Sequence, residues 1–207
     1  RMFFGVHLLG EAGDQRLYRP LIRLLTQSPE IAAQDLGDGF IETGQGILIN
    51  VADTDPEPLL TLARQTDIEY PIGDIFRSLA VGAYAYLVAA GRFDADQAEA
   101  NLGKIGETFE ADLDMSTAHA WITAVVALGF ADLVAHARQR MRDDPAGAPI
   151  MTVEEIDDLI ERAKTRPGTA VMVEEGFEPF DDLIATMSGW AGFSDEGVQN
   201  RIAEASG

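Results

Sequence analysis

The chain has no cysteine in its 207 residues. That removes disulfides, thiolate nucleophiles and cysteine-held zinc or iron–sulfur centres at once, and it fits a reducing compartment. Positive charge is scarce as well, with 15 Lys and Arg against 35 Asp and Glu and a formal net charge of −20. A polyanion of this kind lacks the basic surface that displaces counterions from nucleic acid, and anionic membrane surfaces repel it. The longest apolar run, Leu79 to Gly91, is too short to span a bilayer. We therefore expect no nucleic acid, no membrane and a cytoplasmic location. No signal peptide is expected. Hydrophobic residues at 46% and charged residues at 24% are ordinary for one folded unit with a sizeable core or for a short repeat array.

What is present is helical periodicity. Ile72, Ile75, Phe76, Leu79, Ala80, Ala83 and Leu87 recur at the spacing of one helix face, ended by Gly91. Asp94, with Gln97 three residues on, has the spacing of a capping box for a second helix through Ala98, Leu102, Ile105 and Phe109. Ser116 reads as the cap of a third, carrying Trp121, Ile122, Val125 and Val126. That helix breaks at Leu128-Gly129-Phe130, and a fourth turns Leu133, Val134, Ala137 and Met141 inward. Towards the N-terminus, Leu17, Tyr18, Leu21, Ile22 and Leu25 form another apolar face. Ser28-Pro29 starts a short helix. Asp35 to Ala52 follows as a helix weakened by Gly37, Gly39, Gly44 and Gly46, and Asp55-Pro56 opens the next.

Four stretches repeat one design: LLGEAGDQRLYRPLIRLL, INVADTDPEPLLTLAR, VAAGRFDADQAEANLGKI and VVALGFADLVAHARQRM. Each ends a helix, turns on small or acidic residues and begins another, at intervals of roughly 40 residues, the range of HEAT and armadillo units. The expected fold is therefore all-α, a HEAT/armadillo-like α-solenoid of stacked hairpins over residues 1–144. Residues 145–207 form an acidic helical extension packing on the last repeat. Asp143 to Pro149 reads as a linker, Thr152 with Glu155 as a capping box, and Pro179 to Trp190 as a helix with Phe180, Leu183, Ile184 and Met187 inward.

The order RPLIRLLTQSPE, DLGDGFIETGQGILINVADTDPEPLLTLAR, YPIGDIFRSLAVGAYAYLVAAGR, WITAVVALGFADLVAHARQRM and TVEEIDDLIERA resembles an uncharacterised bacterial HEAT-like family over roughly Leu8 to Ala163. The resemblance implies a helical-repeat fold and a bacterial origin. It assigns no catalytic residue, because that family has none established.

Two arginine groups stand out from the acidic background: Arg16, Arg19 and Arg23, and Arg138, Arg140 and Arg142. Both fall on second helices of hairpins, the helices that line the concave surface of a solenoid. They are the candidate binding residues, for a protein or acidic peptide partner, and the chain's own Glu174–Asp182 has a suitable charge. The competing use of these arginines is as dispersed surface ion pairs. Asp35, Asp38 and Glu42 share a helix face if Gly37 and Gly39 permit one. They are either a cation or acid/base site or simply solvated. His119 and His136 fall on successive arms and could flank a small-molecule or metal site. No phosphate loop, nucleophile elbow or metal motif is present. The expectation is a non-catalytic protein-binding scaffold with no metal and no cofactor. The alternative is a small-molecule or metal-binding protein, or a hydrolytic enzyme, with a site between repeats.

Overall fold

The computed structural model describes residues 2–109, 115–143 and 151–190. The all-α expectation holds, for the regular elements among these residues are helices and none is a strand. They are α1 (Met2–Glu11), α2 (Tyr18–Gln27), α3 (Pro29–Val51), α4 (Glu57–Arg64), α5 (Ile72–Ala89), α6 (Ala98–Gly106), α7 (Met115–Ala127), α8 (Ala131–Asp143), α9 (Val153–Thr165), α10 (Thr169–Glu174) and α11 (Leu183–Gly189). Short 3-10 turns, Gln15–Leu17 and Ala95–Gln97, lead into α2 and α6.

Packing follows two rows. The odd-numbered helices α1, α3, α5, α7 and α9 each lie against the next. Of the even ones, α2 packs on α3 and α4, α4 on α5 and α6, α6 on α7, and α8 on α7 and α9. Helix α5 is the centre. Its Phe76, Leu79, Ala80, Ala83 and Leu87 are buried, as their spacing predicts. By length and composition it is also the one helix among the described residues apolar enough to cross a membrane, but 72% of it is buried inside the protein.

The ends of these helices show how the sequence sets the turns. After α5, Gly91 takes φ 71°, while Gly91 N–H donates to Val88 O and Arg92 N–H to Leu87 O. This is a Schellman closure, and it requires a residue that tolerates the left-handed region. The break at Gly129 repeats it, with Gly129 N–H to Val126 O and Phe130 N–H to Val125 O. The capping box of α9 forms as its sequence predicts: the Thr152 hydroxyl accepts from Glu155 N–H, and the Glu155 carboxylate accepts from Thr152 N–H at 2.7 Å.

Ser28-Pro29 opens the short helix expected of it, which ends at a kink where Gly37 takes φ 62° and ψ −170°, a region open essentially to glycine alone, and α3 continues beyond the kink to Val51. Two local expectations are corrected. Helix α7 is not capped by Ser116. The carboxylate of Asp74, on α5, reaches across to accept from Ser116 N–H at 2.9 Å and Thr117 N–H at 2.8 Å. Helix α10 gives no clear signal in the sequence. Helix α11 starts at Leu183, capped by Asp182, and Ile184 points outward with 74% of its surface exposed.

Beyond α9, which lies on α7 and α8, the chain returns along the odd-numbered row. Helix α10 contacts α7 and α5, and the backbone at Glu178 and Phe180 lies against Gly46 of α3. Helix α11 then reaches α1. Asn50 ties this return segment to the body, donating to Phe180 O at 2.5 Å and Gly10 O at 3.0 Å. Of the 145–207 extension, residues 145–150 and 191–207 lie outside the described residues.

Candidate functional site: a groove at the bend of α3

The bend at Gly37 opens a groove of about 560 Å³ between α1, α3 and the end of α11. A volume of this size falls within the range of small-ligand and side-chain pockets. Phe3 comes from α1, Asp35, Asp38, Gly39 and Glu42 from α3, and Trp190 from the end of the return segment. Gly39 makes the geometry possible. A Cβ built there would lie 2.8 Å from Trp190 Cη2 and 2.9 Å from Phe3 Cε2, so only a bare backbone lets both rings settle over the helix. The ring centroids of Phe3 and Trp190 are 5.7 Å apart, and the Trp190 indole N–H donates to Glu42 Oε2 at 2.7 Å.

The acidic side of the groove differs from the sequence expectation in one instructive way. Asp35, Asp38 and Glu42 do not share a continuous helix face, because Gly37 interrupts it. The interruption nevertheless turns all three into the same groove. Asp35 and Asp38 are exposed, and their carboxylates have no hydrogen bond or ion pair with another described residue. Ile41, 43% exposed, lies one turn from Asp38 on the same helix.

Beneath the groove sits His7, completely buried. Its ring lies 4.2 Å from that of Phe3, 5.8 Å from Phe180 and 5.9 Å from Trp190, centre to centre. Nδ1 is 2.8 Å from Phe3 O, a pure acceptor, so Nδ1 bears a proton. Nε2 is 2.8 Å from the Thr43 hydroxyl, which is also 2.8 Å from Gly39 O. In neutral His7 the single Thr43 proton must choose between Nε2 and Gly39 O. In the cation Nε2–H donates to Thr43 and the hydroxyl proton goes to Gly39 O.

Burial outweighs these bonds and lowers the His7 pKa below its ordinary 6.5. Between the lowered folded value and the unfolded 6.5, the unfolded chain holds the proton and the folded one does not. Stability contributed by neutral His7 is therefore intact above pH 6.5 and is lost as the pH falls through that window. Urea midpoints measured at pH 7.5 and pH 5.5 should show a drop in the wild type that is smaller in His7→Gln.

The arginine candidates are placed apart: Arg16 lies in the 3-10 turn before α2 rather than on that helix, Arg19 and Arg23 on α2, and the other three on α8. Arg16 pairs with Asp14 at 2.5 Å, and the guanidinium bonding holds the Asp14 carboxyl down at about 2. Arg19 bridges Asp53 at 3.1 Å and Asp55 at 2.9 Å. Arg23 is exposed on α2 with no ion pair to another described residue. Arg138 pairs with Asp157 of α9. Arg140 donates to Gly106 O at 3.1 Å and lies over the Phe109 ring. Arg142 belongs to α8, and its side chain is outside the described set. Glu174 and Glu175, in the acidic stretch suited to these arginines, pair instead with Arg162 and Arg166 of α9 and the turn after it.

The histidines separate too. His136 meets the edge of Trp121, 6.3 Å between centres, whereas His119 lines a second cavity of about 420 Å³ beside α9. There three of the four lining carboxylates are already matched, Glu155 by Thr152, and Asp158 and Glu175 by Arg162, while Glu154 is exposed. Among the described residues no cluster of His, Asp and Glu has the arrangement of a metal site. The hydroxyls of Ser78 and Ser188 bond back to their own helices at Ile75 O and Ile184 O.

Sequence reasoning did not connect Phe3, Gly39 and Trp190, which are far apart in the chain. The available signal was Gly37-Asp38-Gly39, a helix-breaking triplet inside an otherwise apolar periodic stretch. The fold and groove together define an all-helical protein with an open, aromatic-walled and acidic recess. Comparison with protein families, curated proteins and solved structures finds no match for this chain.

Proposed function

We propose that this chain is a protein-binding scaffold, its hairpins stacked as a HEAT-like solenoid, and that a partner docks in the groove at the bend of α3. The bacterial and cytoplasmic setting belongs to the same proposal. The observation that carries the reading is the groove itself, which is open and walled by Phe3 and Trp190, on a helix that also exposes Ile41. Aromatic residues that present a large rigid face beside a polar rim are the usual anchors of protein recognition. The two-row packing supports a solenoid, because each helix pair buries its faces against the next.

The second reading, an acidic peptide held by the six arginines, is favoured among the described residues by Arg23, which is exposed and has no ion pair to another described residue. Arg16, Arg19 and Arg138 would have to surrender carboxylates they already hold.

Gly39→Ala tests the groove without altering any charge. Its methyl group meets the far edge of the Trp190 ring and pushes it aside, reshaping the recess. Short peptides selected by display on the full chain should bind Gly39→Ala at least tenfold more weakly than wild type. Peptides that bind both equally, or a screen in which only metabolites raise the melting temperature, would transfer the function to another site.

A further inference from the structure

We propose that the groove recognises a basic peptide segment, seating an arginine or lysine side chain between the Trp190 and Phe3 rings and the carboxylates of Asp35, Asp38 and Glu42. This rests on the groove being the docking site, and it adds what the docked segment must carry.

Two kinds of observation converge on a cation. Trp190 and Phe3 line the groove, and a guanidinium or ammonium beside an aromatic ring is attracted by its quadrupole. Around them stand three carboxylates, of which Glu42 is held by the indole N–H while Asp35 and Asp38 have no described partner. An anionic or purely apolar segment would leave those two charges partly desolvated and unmatched, whereas a guanidinium matches them.

The wider field acts in the same direction. A net charge of −20 draws a basic chain towards any surface of this protein, and the bend of α3 offers the aromatic walls that hold it in one place. The chain's own residues 191–207 do not supply this occupant by charge, with Asp195, Glu196 and Glu204 against Arg201.

The test uses the full chain and a short capped peptide carrying three arginines among leucine and glycine, followed by calorimetry and by tryptophan fluorescence. Trp121 is buried, so a fluorescence change reports Trp190. Comparison probes are the same peptide with citrulline at each arginine, and free methylguanidinium. Two doubly substituted proteins lose the same charge: Asp35→Asn with Asp38→Asn in the groove, and Asp67→Asn with Glu69→Gln on the exposed turn before α5.

The proposal expects the arginine peptide to shift Trp190 emission, to lose at least tenfold in affinity in the groove variant, and to lose less than twofold in the turn variant. The citrulline peptide should bind at least tenfold more weakly. Equal losses in the two variants would reduce the effect to the general acidic field and overturn the proposal. Citrulline and arginine peptides binding alike would overturn the cation and leave the groove as a docking site. Methylguanidinium binding as tightly as the peptide would overturn the peptide as the source of the cation. No binding by any probe would overturn the proposal and remove the groove's support as a docking site.

Discussion

Asp74→Ala is expected to destabilise the fold by about 3 kcal/mol, because hydrogen bonds to a buried charged acceptor contribute roughly 1.5–3 kcal/mol each and do not add fully. Asp74 is only 5% exposed. Its carboxylate satisfies the amides of Ser116 and Thr117, the first orphan donors of α7, and the Thr117 hydroxyl lies 2.8 Å from Asp74 Oδ1 and 2.9 Å from Asp74 O. The bond joins the two most extensively packed helices, α5 and α7. Alanine leaves the buried Thr117 amide with no acceptor, removes the cap of the exposed Ser116 amide and opens a small void between the helices. Asp74→Asn keeps one acceptor oxygen and should lose about half as much. Urea unfolding compared at constant slope measures both. A loss below about 1 kcal/mol for alanine would mean that water or another acceptor replaces the carboxylate.

Gly46→Ala should cost about 1–3 kcal/mol, the usual range for overpacking, and should act on one segment rather than on the core at large. A Cβ at this position lies 2.8 Å from Glu178 O and 2.8 Å from Phe180 N. Both are backbone atoms, so no rotamer relieves the clash and the return segment must lift from α3. That strains the Asn50 bond to Phe180 O and the Glu11 carboxylate that accepts from Leu183 N–H at 3.1 Å. Hydrogen exchange at Leu183 should accelerate while the amides of α5 stay protected. Gly5→Ala is the control: nothing lies within 4 Å of a Cβ there, and helix propensity alone makes alanine neutral or stabilising.

The sequence was most readable where one local rule decided the outcome. Gly91, Gly129 and the Thr152–Glu155 pair each end or start a helix by chemistry confined to a few neighbouring residues. The buried faces of α5, α6 and α7 follow from apolar spacing alone. Reading failed where a distant residue supplied the missing part. Nothing near Ser116 indicates that Asp74, 42 positions earlier, caps the helix. Likewise nothing near Ile184 shows that α11 turns Leu183 rather than Ile184 towards the body.

The candidate site was half legible. Asp35, Asp38 and Glu42 stand out by spacing, but their convergence depends on the bend at Gly37 and on two aromatic rings from opposite ends of the chain. The arginines stand out by contrast with the acidic background. Their actual bonds, to Asp14, Asp53, Asp55 and Asp157, depend on which loops lie beside them.

The most direct test of the account is an ¹⁵N-edited spectrum of the full chain titrated with the capped arginine peptide. The protein has two tryptophans, and their indole N–H groups are bonded to different acceptors, Glu42 for Trp190 and Leu102 O for Trp121. Docking at the bend of α3 moves the Trp190 indole signal together with the amides from Gly37 to Glu42, and leaves the Trp121 signal in place. Shifts confined to the surroundings of Arg19, Arg23 and Arg138, with the Trp190 indole unmoved, would contradict it.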